Sequence, residues 1–293
     1  MSAATTETPA SARPVRGELR TIAGPSALGG DARRFVHLAI TLAVNEFKLR
    51  FFGSVLGYLW QLMRPLMLFG VLYLVFTEFV RLGTGVAFYP VVLLTNIVLY
   101  TFFLEGTAGS VTSVLDREAL VRKIQFPRMA IPVSVVLTAS FNMTLNLLVV
   151  LAFALASGVT PRPSWLQIVP LAALLATLTT GFAMLLSAAY VRFRDVRPIW
   201  DVVTQALFYA TPVIYTIDAL PQVARFQHVL MLNPLAAILE QVRHAVIDPD
   251  APTAAAAAGG TGRLLIPLAI VALVAGLGFW YFEREAPRIA EDL

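Results

Sequence analysis

The sequence predicts an all-α, polytopic membrane protein with six transmembrane helices. Of its 293 residues, 58% are hydrophobic and only 14% are charged, whereas soluble domains carry about 25% charged residues. Six stretches are long and apolar enough, or nearly so, to cross about 30 Å of hydrocarbon as helices. The basic residues gather in loops that would share one side of the membrane. These three observations favour a membrane protein over a pair of soluble domains.

The N-terminal region divides into a tail and a helix. Residues 1–32 are rich in Ala, Thr, Ser, Pro and Gly and lack the apolar core of a secretory signal, so we expect a disordered cytoplasmic tail. Over residues 33–50, polar side chains recur every three or four positions, with Phe35, Leu38 and Leu42 elsewhere around the turn. This spacing predicts an amphipathic helix that lies along the membrane surface.

The apolar stretches of the remaining chain set the expected spans. A spanning helix needs about 20 largely apolar residues, because backbone groups cannot stay unpaired in hydrocarbon. Arg64 and Pro65 interrupt the first stretch, and Asp201 lies within the fifth. The predicted spans are residues 55–77, 86–104, 129–156, 166–191, 198–217 and 264–282.

The region between the fifth and sixth spans is apolar but interrupted. The run 228–239 has twelve residues, and a helix of that length rises only about 18 Å, which is too short to cross the membrane. We therefore expect short external helices here, at the interface or dipping in and returning. Ala254–Ala258, with the glycines that follow, is expected to be a loop.

The arginines and lysines indicate the orientation. If both termini are cytoplasmic, 16 of the 22 basic residues lie on that side and five lie on the other. Short loops on the cytoplasmic side of membrane proteins carry such an excess of positive charge. The distribution therefore predicts cytoplasmic termini.

The sequence contains no familiar catalytic motif. It has no GxxxxGK[ST], HExxH, GxSxG or CxxC pattern, and it has no cysteine for a thiol nucleophile or a thiolate metal site. The three histidines are scattered, which argues against a histidine-rich metal centre, and a dispersed net charge of +4 argues against nucleic acid as a partner. We expect no cofactor in this chain, and a pump built on it would take its energy from another protein.

Three ionisable residues lie within the predicted spans or directly at the end of one: Arg64, Glu105 and Asp201. Ionisable groups inside membranes are commonly functional. A simpler explanation is that all three lie near the cytoplasmic third, where a side chain reaches the membrane surface. They form no ladder of acids and histidines through successive spans, so ion-coupled transport is disfavoured.

The loop over residues 116–128 is compact and charged. Its acids lie in the first turn and its bases in the last, as the helix dipole favours, and a proline ends it. A short cytoplasmic helix of this kind is suited to transmit motion from a docked soluble partner, although an ordinary positively charged loop explains the pattern equally well. The residues concerned are Asp116, Arg117, Glu118, Leu120, Arg122, Lys123, Phe126 and Pro127.

Several short segments carry a resemblance to a known family. They begin at Gly53 (GSVLGYLW), Leu120 (LVRKIQFPR), Arg194 (RDVR), Tyr209 (YATPVIY), Leu220 (LP) and Leu232 (LNPL). In this order they resemble permease subunits of type-2 ATP-binding-cassette exporters, and the most similar group exports polyprenyl-linked polysaccharide, O-antigen and teichoic acid. This chain departs from the family at Arg64, where asparagine is common before the proline.

The resemblance implies an assembly and a location. Two copies of this chain would join two nucleotide-binding subunits, which bind ATP and Mg, in the inner membrane of a bacterium. The amphipathic helix and residues 116–128 would dock on those subunits, and Arg194 and Asp195 would form a second cytoplasmic turn. A local salt bridge holding the fourth and fifth spans is the alternative role for that turn. The substrate would be a polyprenyl-linked glycan, such as a cell-wall galactan, O-antigen or teichoic acid, alongside membrane lipids.

A glycan path would be lined by groups that tolerate sliding sugars. Aromatic rings can contact the apolar faces of sugars without fixing a register, although tyrosines at span ends are often interface anchors and phenylalanines inside spans often pack. Arg64 would meet either the pyrophosphate of the substrate or lipid headgroups. The aromatic candidates are Phe69, Tyr73, Tyr100, Phe103, Phe208, Tyr209 and Tyr215.

Three other functions fit the composition less well. An ATP-driven exporter of a small lipid or drug would share the architecture. A membrane glycosyltransferase or an ATP-independent flippase would usually need clustered acids, and Asp248 and Asp250 form the only close acidic pair on the predicted outer side, where a turn is the simpler explanation. A structural scaffold would not depend on an active ATPase partner. The sequence therefore favours a transport subunit that is not itself an enzyme.

Overall fold

A computed structural model describes residues 32–51, 57–80, 85–119, 127–217 and 226–287. Within these ranges the regular elements are helices and no strand occurs, which confirms the all-α class. The tail expected over residues 1–32 lies outside the described residues, except for Ala32. The helices are α1 (Ala32–Phe51), α2 (Gly57–Tyr73), α3 (Tyr89–Val111), α4 (Ser113–Asp116), α5 (Ala130–Ala156), α6 (Ile168–Arg192), α7 (Val196–Ala210), α8 (Gln227–Leu230), α9 (Pro234–Val242), α10 (Ala254–Ala258) and α11 (Leu265–Glu285).

Five helical segments in the described ranges are long and apolar enough to cross a membrane. They correspond to the first, second, third, fourth and sixth predicted spans, and short 3-10 turns at Pro163–Gln167 and Thr261–Leu264 precede α6 and α11. A π-helical turn, Leu74–Phe79, continues α2. The segments are Leu59–Thr77, Tyr89–Val111, Ala130–Ala156, Pro163–Arg192 and Thr261–Glu285.

The fifth apolar stretch differs from the continuous helix expected over residues 198–217. Its helix, α7, has 15 residues and ends at Ala210, so that it rises only about 22 Å. Thr211 adopts an extended conformation because the ring of Pro212 disfavours helical backbone in the residue before it. The chain then continues to Ile217 without regular structure, and most of these residues are buried.

Side chains of α3 hold this irregular stretch. The Asn96 amide donates hydrogen bonds to the carbonyls of Pro212 at 3.1 Å and Val213 at 3.3 Å. The Tyr89 hydroxyl donates to the carbonyl of Ile214 at 2.6 Å. Non-helical backbone is tolerated at membrane depth only where protein or water supplies such partners. The fifth stretch is therefore a short helix followed by a segment fixed to the second span.

The core of the bundle is built around α3, which packs against α2, α5, α6 and α7. The most extensive helix–helix interface among the described residues lies between α6 and α11, where Gly181 faces Gly278. A Cβ atom on Gly278 would overlap the Gly181 carbonyl, and one on Gly181 would lie 2.8 Å from the backbone of Val274. Glycine is needed at both positions because the two backbones approach so closely.

The region between α7 and α11 returns to the bundle on the membrane side opposite α1. Helix α9 is almost wholly buried and packs against α6 and α11; a π-helical turn, Arg243–Ile247, follows it. Ala254–Ala258 forms a helix rather than the expected loop. Its start is fixed by the Thr253 hydroxyl, which accepts from the Ala256 N–H at 3.1 Å, and Gly259 ends it in the left-handed conformation.

Candidate functional site

The outward face of α7 carries a row of polar residues at membrane level. We call Arg197, Asp201, Gln205 and Tyr209 the α7 polar stripe; they are spaced four apart, all are exposed, and Tyr209 is 63% exposed. Residues four apart lie on one face of a helix. The sequence analysis singled out Asp201 and Tyr209, assigned Arg197 only to the RDVR segment and did not mention Gln205, although the four-residue spacing is visible in the sequence.

The opposite face of α7 fixes the helix to the bundle. The Trp200 indole N–H donates to the Thr107 hydroxyl at 3.1 Å, and the Tyr100 hydroxyl donates to the Thr204 carbonyl. Trp200 and Thr204 are buried. The stripe cannot rotate inward without breaking these contacts, so it is held on the surface of the bundle. Polar groups stripped of water without partners cost about 4 to 8 kcal/mol in hydrocarbon, which means that the stripe requires water or protein beside it rather than lipid.

A second outward face belongs to α2. Arg64 is exposed there among apolar side chains, while Gln61 and Pro65 point toward the bundle and line a small cavity of about 10 Å³ beside Glu105. The exposed apolar residues of this face include Leu59, Trp60, Met67, Leu68 and Val71.

Glu105 is held by amides from two other helices. The Gln61 amide of α2 donates to one carboxylate oxygen of Glu105 at 3.1 Å, and the Asn142 amide of α5 donates to the other at 3.2 Å. The buried Asn142 Oδ1 atom has no hydrogen-bond partner. This cluster joins α2 to α3 and α5 within the membrane, so Glu105 has a structural role that the sequence did not indicate.

The aromatic path candidates occupy three different environments. Tyr100 is only 5% exposed and Phe103 is fully buried, so in this conformation both pack in the core rather than face a passage. Phe69, Tyr73, Phe208 and Tyr215 are half-buried: Phe69 stacks on Tyr73 at 5.6 Å between ring centroids, Phe208 meets Tyr100 edge-on at 5.2 Å, and the Tyr215 hydroxyl donates to the Tyr209 carbonyl at 3.3 Å. Of the seven candidates, Tyr209 is the one widely open at the surface.

The start of the charged loop is anchored to α1. The Arg117 guanidinium lies 2.5 Å from the Glu46 carboxylate of α1 and donates to the Ser134 hydroxyl of α5 at 2.9 Å. Asp116 accepts from the Thr112 hydroxyl at 2.7 Å and is exposed. Glu118 and Pro127 are half-buried, and the predicted coupling residues Leu120, Arg122, Lys123 and Phe126 lie outside the described residues.

The turn between α6 and α7 lies at the same end of the bundle. Arg194 and Asp195 are exposed there, and the Arg194 guanidinium sits 5.1 Å from the centroid of the Tyr190 ring. Neither charged group takes part in an ion pair with the described residues, so a salt bridge does not hold this turn. Nearby, Arg128 donates to the Ala286 carbonyl at the end of α11, and burial lowers the pKa of its guanidinium from the ordinary value.

Comparison with known proteins identifies the family. Two permease proteins RfbA of O-antigen export systems are similar: one from Klebsiella pneumoniae is 28% identical over 69% of this chain and 77% of its own length, and one from Myxococcus xanthus is 28% identical over 87% and 95%. Residues 37–247 match the ABC-2 type transporter family, whose membrane subunits work with ATP-binding cassette subunits. The match runs from within α1 to the end of the π-helical turn after α9. The chain belongs to the ABC-2 type transporter family and is a multi-pass transport subunit rather than an enzyme.

Proposed function

We propose that this chain is the membrane-spanning subunit of an ATP-driven exporter that moves a polyprenyl-linked polysaccharide from the cytoplasm across the bacterial inner membrane. Family membership supports the transport role. The similar proteins are permeases of O-antigen export systems, which supports the substrate class. Cell-wall galactan and teichoic acid belong to the same broad class, since each presents a long hydrophilic polymer on a lipid.

The α7 polar stripe is the observation that carries this proposal. A glycan covered with hydroxyls cannot cross hydrocarbon unaided, because each unpaired polar group there costs several kcal/mol. A row of charged, amide and phenol groups along one helix face gives the sugars a wettable wall. The polyprenyl tail prefers the bilayer and can remain in it while the sugars pass beside the stripe.

In a single copy of the chain, the α7 polar stripe is not enclosed by other helices of the described residues. Only 6% of the most apolar part of the first span is buried, and the α7 polar stripe is exposed. A second copy related by a two-fold axis along the membrane normal would bring equivalent faces together and enclose a passage. We therefore propose a homodimer, with Tyr73, Phe208, Tyr209 and Tyr215 near the path.

Two ATP-binding cassette subunits would dock at the cytoplasmic end of this dimer. Helix α1, residues 116–119 and 127–128, and the turn with Arg194 and Asp195 lie at one end of the bundle, and Arg117 joins α1 to α5. Movement of a docked subunit would thus reach the spans through fixed contacts. ATP and Mg would be bound by those subunits, and both termini of this chain would be cytoplasmic, as the arginine distribution indicates.

Copurification with an ATP-binding cassette subunit tests the proposed source of energy. The chain is coexpressed with candidate ATP-binding cassette subunits, and we expect one to copurify and to hydrolyse ATP in lipid. Replacing Phe126 and Pro127 with Ala should abolish export while leaving the dimer intact, whereas Phe226→Ala, at an exposed site on the opposite side, should export normally. If no nucleotide-hydrolysing protein binds, the proposal is wrong.

A second experiment tests the substrate and the path. Replacing Gln205 and Tyr209 with Leu makes the stripe apolar, and we expect glycan export to stop while the ATPase subunit still copurifies. Leu273→Ala on the exposed apolar face of α11 is the control and should leave export unchanged. ATP turnover stimulated by a small lipid, and not by a lipid-linked glycan, would instead favour an exporter of small lipids or drugs.

A further inference from the structure

Two opposite charges at membrane level lack side-chain partners among the described residues. Arg64 on α2 and Asp201 on α7 are both exposed. Among the described residues, neither side chain forms an ion pair or a hydrogen bond; only the Asp201 backbone carbonyl accepts one, from Thr204. Charged groups in a membrane almost always pair with another group or face water. Both residues therefore need water or a partner that the described part of a single copy does not supply.

The two charges lie at similar distances along their helices. Both α2 and α7 start at the α1 side of the membrane. Arg64 is seven residues from the start of α2, about 10 Å, and Asp201 is five residues from the start of α7, about 8 Å. The aspartate side chain is too short to reach the membrane surface from there, whereas arginine can bend toward it. Asp201 thus has the greater need of a partner.

The two faces belong to helices that both pack on α3 but have different second neighbours. Helix α2 packs on α3 and α5, and α7 packs on α3 and α6. The contacts of Gln61 with Glu105 and of Trp200 with Thr107 fix which face each helix turns outward. Arg64 and Asp201 are therefore presented to whatever covers the bundle from outside.

We propose that Arg64 of one copy pairs with Asp201 of the second copy. This inference rests on the proposed homodimer. A two-fold axis along the membrane normal preserves depth, so the same pair forms twice and each copy contributes one charge to each pair. A guanidinium can bind a carboxylate through two parallel hydrogen bonds, which also fixes the register of the two helices. The pair would close the interface between the copies beside the inner end of the passage.

Two other partners compete with this assignment. Arg197 precedes Asp201 by one turn on the same face of α7, so it can approach Asp201 within one copy. The pyrophosphate of a lipid-linked substrate can attract Arg64. Neither alternative requires Arg64 and Asp201 to meet. A variant in which the two charges are exchanged therefore distinguishes both alternatives from the proposed pair.

Charge exchange is the first test. We expect Arg64→Asp and Asp201→Arg each to reduce export and dimer recovery at least about tenfold, because each leaves two like charges facing one another. The double variant should recover most of both, since it restores an opposite pair in reverse. A double variant no better than either single one would overturn the pair, and it would do so whether Arg197 or pyrophosphate is the true partner.

Cross-linking is the second test and needs no transport. The natural chain has no cysteine, so two differently tagged copies, one with Arg64→Cys and one with Asp201→Cys, can be coexpressed and treated with a short thiol cross-linker. We expect a covalent dimer that carries both tags. Leu273→Cys on α11, paired with Asp201→Cys, is the control and should give none. Absence of the mixed dimer, in a preparation that size-exclusion chromatography shows to be dimeric, would overturn the pair alone; a natural chain that remains monomeric with its ATPase would overturn the proposed homodimer as well.

Discussion

The first and second spans have the same mean hydropathy, 1.6, yet the second lies inside the bundle and the first lies at its edge. In the apolar part of the second span, 78% of the residues are buried, against 6% in the first. Helix α3 is surrounded by α2, α5, α6 and α7, whereas α2 rests on α3 with most of its circumference exposed. Hydropathy therefore indicates that a helix enters the membrane, and it does not indicate what the helix contacts there.

The exposed faces of different helices also differ in chemistry. From Leu265 to Trp280 the exposed large side chains of α11 are apolar, including Leu268 and Leu273, as expected for contact with lipid, and the exposed charges Glu283 and Arg284 lie in its last turn. The exposed faces of α2 and α7 carry Arg64 and Asp201. Charge on an open face at membrane depth distinguishes a surface that meets water or protein from one that meets hydrocarbon.

The largest effect on the free energy of unfolding is expected where α6 and α11 pack closely through two glycines. Gly278→Ala should lower the free energy of unfolding by about 3 kcal/mol, because the new methyl group overlaps the Gly181 carbonyl and the backbones must separate. Gly276→Ala on the same helix, with open space around it, is the matched control and should change little. Denaturant titration in detergent measures both. Equal stability of the two variants would mean that α6 and α11 are not in close contact.

A smaller effect on the free energy of unfolding is expected where the Glu105 carboxylate joins α2 to α3 and α5. Glu105→Leu should cost about 2 kcal/mol, because the amides of Gln61 and Asn142 lose their acceptor inside the protein. Glu105→Gln keeps an acceptor and should retain most of the stability. The same titration compares them, and an unaffected Leu variant would show that α2 is held by packing alone.

The smallest effect on the free energy of unfolding is expected for the ion pair that joins α1 to the residue after α4. Arg117 and Glu46 are each about one-fifth exposed, and ion pairs open to solvent contribute little, so a double-mutant cycle with Ala at both positions should give a coupling energy of about 0.5 kcal/mol. ATP-driven export should fall more than stability does, since this contact links α1, the proposed docking helix, to α5. A coupling energy of zero would remove the proposed link.

Much of the fold could be predicted because it depends on long apolar runs. The first, second, third, fourth and sixth stretches and the amphipathic α1 needed only length, hydropathy and periodicity. The early end of α7 was also accessible in principle, since Thr211 precedes Pro212. A missed local signal likewise explains the helix Ala254–Ala258, where Thr253 caps a run of alanines, the best helix former.

The candidate site was less predictable because it depends on which way helices face. The stripe spacing from Arg197 to Tyr209 is visible in the sequence, but nothing there says that Trp200 and Thr204 point inward. Tyr100 looked like a path residue because a phenol within a span needs a partner; its partner is the Thr204 carbonyl, inside the core. The coupling roles of residues 116–128 remain predictions.

Thiol labelling can determine directly whether the open face of α7 meets water or lipid. Single variants Gln205→Cys on α7 and Leu273→Cys on α11 place one thiol each at comparable distances from their helix starts in a chain that otherwise has none. In membranes containing the ATPase partner, we predict that a water-soluble maleimide labels Gln205→Cys readily and Leu273→Cys hardly at all, because the reactive thiolate forms only where water reaches it. Equally slow labelling of both thiols would contradict a wettable passage along α7.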